Sequence, residues 1–124
     1  MTPMRDGGGF IGRMLFMTAG LLVWALHFAV VYGFNAVACS RSFASDKVLG
    51  FGVVGLVIGA ATVLAWVGII AILASAVRGY ARAPSAGDSE AAENFIRYTA
   101  AAVAMLSLLA VAWNALPALI VRPC

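Results

Sequence analysis

His27 is the only histidine of the chain and, tyrosine and cysteine apart, the only ionisable side chain well inside a long uncharged stretch. An ionisable group in such a setting is costly and is a functional candidate by default. An imidazole there could serve as an axial haem ligand, a quinone contact or a proton relay, and each role needs a partner within coordination or hydrogen-bond reach. The chain supplies no second histidine and no carboxylate within its uncharged stretches. We therefore read His27 as neutral and structural, hydrogen-bonded to Trp24, Trp66 or a polar group of the third apolar stretch, since an unsatisfied polar group in hydrocarbon costs several kcal/mol.

Sulfur is the other reactive element. Cys39 and Cys124 form neither a Cys-x-x-Cys pair nor a Cys-x-x-Cys-His haem-attachment motif, so any joint role requires proximity in three dimensions. Gly7, Gly9 and Gly12 match G-x-G-x-x-G. That fingerprint binds pyrophosphate only when a strand precedes it and a βαβ unit surrounds it, and neither fits here, so we read a chance match. A Ser-His-Asp set, His-Glu-x-x-His, paired carboxylates in an apolar setting and a phosphate loop with its lysine are all missing from the sequence. We expect no catalysis and no bound cofactor or metal.

The elements that must hold these residues are apolar helices. Of 124 residues 64% are hydrophobic and 10% charged, with a mean hydropathy of +1.01, against about 45–50% and about 25% in a soluble domain. Three stretches lack Asp, Glu, Lys and Arg, at residues 14–38, 48–77 and 98–121, and each exceeds the roughly 20 residues needed to cross the hydrocarbon. The expected architecture is an all-α integral membrane bundle of three transmembrane helices forming one domain. Residues 1–13 read as a flexible cytoplasmic tail. Residues 78–97 read as a cytoplasmic loop and helix start, with a breaker cluster at 83–87. Asp88 or Ser89 suits the N-cap of the third helix, with Glu90 and Glu93 at the positive end of its dipole. Ala36-Val37-Ala38 before Cys39 resembles a processing site, but the apolar stretch outruns the usual signal core of about 7–15 residues, so we read a retained span.

Orientation follows from basic residues near the span ends. Arg5, Arg13, Arg78, Arg82 and Arg97 fall on one side and Arg41, Lys47 and Arg122 on the other, which puts the N-terminus inside and the C-terminus outside. A bacterial inner membrane is the expected location. The basic residues are single and flank apolar stretches, so nucleic acid is not an expected partner. Cys39 and Cys124 then share the outer, oxidising side, where a bridge would be worth about 4–5 kcal/mol on chain-entropy grounds. We expect a disulfide; two free thiols, or a thiolate ligand to copper or haem, are the alternatives.

Helical periodicity places Gly20, Trp24, His27, Val31 and Asn35 on one face of the first helix, which should meet protein. Gly52, Gly55 and Gly59 share a face of the second helix, and Gly55-x-x-x-Gly59 has the spacing that lets helices approach closely. Which helix fills that face the sequence leaves open. Ser107 and Asn114 lie seven residues apart on the third helix, beside Trp113 and ahead of Pro117, and suit interhelical hydrogen bonds. Pro117 removes a backbone donor, which leaves the Trp113 carbonyl for Asn114 or a neighbouring helix to satisfy. Trp24, Trp66 and Trp113 inside the spans point to a packed bundle or a docking face, and not to an aqueous pore.

The run Trp24-Ala25-Leu26-His27-Phe28, with Tyr32-Gly33, Cys39, Leu116-Pro117 and Pro123-Cys124, resembles small proteobacterial membrane proteins associated with haem-copper terminal oxidases of the caa3 type. The resemblance covers the first and third spans. It implies an accessory or assembly component of a respiratory oxidase. The leading expectation is thus a non-catalytic subunit packed in lipid on a larger membrane complex. A haem, copper or thiol redox protein using His27 or Cys39 and Cys124 is the alternative, and a self-associating channel comes last, because three spans with one ionisable group cannot line a polar path.

Overall fold

The computed structural model describes the backbone of residues 3–82, 88–121 and 124, and side chains from residue 9 onward except those of 80–90, 122 and 123. Helix α1 (Pro3–Ser40) leads through a ribbon of two short antiparallel strands, β1 (Lys47–Val48) and β2 (Phe51–Gly52), into α2 (Val53–Arg82), and α3 (Asp88–Ile120) completes the bundle. Each helix contains a stretch long and apolar enough to cross a membrane: Gly9–Ser40, Val53–Gly79 and Ala91–Ile120.

The helices outrun the apolar stretches at several ends. Hydropathy reports which residues suit oil, whereas helical hydrogen bonding continues until the backbone stops it. Residues 3–13, expected to be a flexible tail, continue α1, with Pro3 at the first helical position, where a missing N–H is harmless. Residues 78–82, expected in a loop, extend α2, and α3 begins at Asp88. The breaker cluster at 83–87 and the capping side chains of Asp88, Ser89 and Glu90 lie outside the described residues. Residues 48–52 leave the expected second helix for the ribbon. Leu49 and Gly50, with φ of 54° and 84°, form the two-residue turn of left-handed residues that joins β1 to β2. Ser42, with φ of 60°, turns the chain out of α1, and the Val53 amide closes the loop on the Asp46 carbonyl at 3.0 Å.

All three helix pairs pack together. Small residues dominate the contacts. Ala100, Ala104, Ser107, Val111 and Ala115 are buried along α3, and Gly20, His27, Val31 and Ala38 along α1. A Cβ on Gly20 would stand 3.0 Å from the Ala104 Cα and 3.1 Å from the Ser107 Oγ. The α1 and α3 backbones therefore approach so closely here that any side chain at position 20 would press on α3. Little of the apolar surface is used in this way: 17%, 17% and 22% of the most apolar window of α1, α2 and α3 is buried. Leu26, Leu64, Leu106, Leu109 and Ile120 are among the large side chains left facing outward.

Candidate functional site

The polar side chains within the bundle satisfy themselves first along their own helices. Thr18, Thr62, Ser75, Thr99 and Ser107 donate to carbonyls four residues back at 2.7–2.9 Å. In a helix without water this back-bonding leaves no hydroxyl proton idle. Thr62 gains a second role from it. Its one proton goes to the Ile58 carbonyl at 2.7 Å, so its oxygen accepts from the His27 Nε2, 3.0 Å away. His27 is 3% exposed, and its Nδ1 has no partner among the described residues.

This pairing corrects the expectation that Trp24, Trp66 or helix three would hold the imidazole. Trp66 is 41% exposed, and the Trp24 Nε1 is buried without a partner among the described residues. Thr62 lies four residues before Trp66, one turn nearer the imidazole. A single threonine in an apolar run carries no sequence signal that it will face the one buried histidine.

Among the described residues, Ser107 and Asn114 make no hydrogen bond across the helices. Ser107 is spent on the Val103 carbonyl and seats against Gly20. The Asn114 Nδ2 is buried and unpartnered among the described residues, and Asn114 shares with Asn35 a cleft of about 220 Å3 between α1 and α3, beside Pro117. The two amides thus share one otherwise largely apolar notch. Trp113, expected beside them in the packing, is 74% exposed, because its position one residue before Asn114 turns it about 100° away from the α1 contact.

The glycine face of α2 loses one of its three expected members. Gly52 belongs to β2, and a Cβ at Gly52, Gly55 or Gly59 would meet nothing within 4 Å. Neither α1 nor α3 occupies that face; α2 turns Val54, Ile58, Ala65, Ile69 and Ala76 inward instead. The close-approach glycine is Gly20 on α1, whose signal was the alanine-rich run of α3 opposite it.

At the ribbon end, Cys39 and Cys124 stand at disulfide-bonding distance, with Cα atoms 5.9 Å apart across 85 residues of chain. A cleft of about 760 Å3 opens beside them, lined in part by Ser42, Ser45 and Lys47. At the opposite end, Arg97 on α3 donates from Nη2 to the Glu93 carboxylate at 3.0 Å. Its guanidinium occupies the space that any side chain at Gly79 of α2 would need. Among the described residues no three His, Cys, Asp or Glu side chains gather where a metal could be held.

Comparison with family models, with curated proteins and with solved structures finds no match for this chain.

Proposed function

We propose that the chain is a multi-pass protein of the bacterial inner membrane, N-terminus inside, serving as a non-catalytic accessory subunit packed against a larger membrane protein. Membrane insertion is supported by the outward-facing apolar surface of all three helices, which water would not tolerate and lipid would. The cluster of arginines near the N-terminal end, opposite the paired cysteines, supports the orientation. One observation carries the accessory role: the Gly55-x-x-x-Gly59 groove of α2 is open, and neither neighbouring helix uses it. Fluid lipid needs no glycine groove; a closely approaching helix does. The occupant is therefore a transmembrane helix of another polypeptide, and the resemblance of the first and third helices points to a haem-copper oxidase subunit.

The test is affinity purification of the tagged chain from its native membrane in mild detergent, beside Gly55→Leu and Gly59→Leu. Both glycines have open space around them, so the substitutions leave the chain's own fold intact while filling the groove. The expected result is a distinct membrane polypeptide, identified by mass spectrometry, that copurifies with the native chain and is lost from both variants. Recovery of the chain alone, of its own copies alone, or of a partner indifferent to both substitutions would overturn the proposal.

A further inference from the structure

The end of the bundle opposite the cysteine pair carries a cleft of about 320 Å3 between α1 and α3. Arg13 of α1 and Arg97 of α3 line it with Glu93, while Phe16 and Ile96 form apolar wall and Gly12 leaves its floor open. We propose that this cleft binds the phosphate of an anionic phospholipid. The inference rests on the membrane reading above but not on the partner.

Charge supports it first. Two guanidiniums face one carboxylate, and that carboxylate is already bonded to Arg97. Among the described residues the lining therefore keeps one net positive charge for a ligand. Preorganisation comes next. Arg97 is held on two sides, by Glu93 at 3.0 Å and by its seat over Gly79 of α2. Both contacts place its planar fork beside the cleft, from where it can donate to an oxyanion.

Arg13 is the last charged residue before the first apolar stretch, and Arg97 is the last before the third. Both guanidiniums lie where hydrocarbon gives way to headgroups, and basic pockets between helices at that level bind acidic lipid headgroups. Phe16 and Ile96 follow or adjoin these arginines and suit the glycerol and first methylenes of a lipid better than they suit a free ion. The cleft therefore matches both halves of an amphiphile.

Native mass spectrometry of the purified chain tests this with phosphatidylglycerol, phosphatidylcholine or inorganic phosphate as probe. The expected result is stoichiometric retention of phosphatidylglycerol and of neither other probe. Arg13→Gln should weaken retention about fivefold, the loss that one basic residue near an anionic surface implies. Gly12→Leu should weaken it as much without altering charge, since its side chain would enter the cleft from open space. Arg78→Gln, an exposed arginine at the same end that does not line the cleft, should leave retention unchanged. Circular dichroism of each variant verifies that the helices persist. Equal weakening by Arg78→Gln would reveal general surface charge and overturn the site. Retention of phosphatidylcholine to the same extent, or binding of inorganic phosphate in place of lipid, would overturn the lipid assignment. All of these readouts are independent of whether another polypeptide copurifies.

Discussion

Thr62 links two requirements that one hydroxyl can meet only in one arrangement. Its proton satisfies its own helix and its oxygen receives the His27 Nε2–H. Replacing it with valine keeps the shape and deletes the acceptor, so the imidazole donor is left buried and unpaired. Thr62→Val should destabilise the bundle by about 1–2 kcal/mol, read as a lowered midpoint in detergent-denaturation of the purified chain, and Thr62→Ser should recover most of it. A stability unchanged by valine would mean that the imidazole finds another partner, for which the Trp24 side of α1 offers a donor but no acceptor. His27 itself was legible in the sequence because one histidine amid apolar residues demands a partner. Its partner was not, because threonine hydroxyls in helices ordinarily satisfy their own backbone and advertise nothing.

Helix contacts depend on shape at a finer grain than composition. Gly20 opposes Ala104 and Ser107 so closely that an added methyl meets the Ala104 backbone at 3.0 Å. Gly20→Ala should therefore push α1 from α3 and destabilise by about 1–3 kcal/mol, measured by the same denaturation midpoint. Gly55→Ala, in open space, should leave it unchanged or slightly raise it through better helix propensity. Similar losses at both positions would show that the two glycine faces are not distinct. The periodicity of α1 was readable: of its five expected residues, those at 20, 27 and 31 are buried, and Trp24 and Asn35 are half-buried. The glycine spacing on α2 was equally visible, but spacing identifies a groove and not its occupant, and neither α1 nor α3 fills this one.

Over the whole molecule, the paired cysteines fasten the end of α1 to the end of the chain across 85 residues. The link restrains the end of α3 beyond Pro117, which interrupts the hydrogen bonding of that helix. Intact mass under non-reducing conditions should fall two hydrogens short of the reduced chain, and Cys39→Ser should lower stability by about 2–5 kcal/mol. Two thiols open to alkylation without reductant would refute the bond.

Length and the want of charge in three stretches determined by themselves that the chain forms three helices long and apolar enough to cross a membrane, since a segment in lipid could satisfy its backbone only internally. The same two properties carry no record of rotation about each helix axis. Tertiary structure alone decided that Gly20 and not Gly55 sits at the close approach, that Thr62 meets His27, and that Arg97 settles over Gly79. These outcomes depend on which small residues on facing helices let backbones come nearest, and that is a property of pairs, whereas hydropathy belongs to one residue at a time.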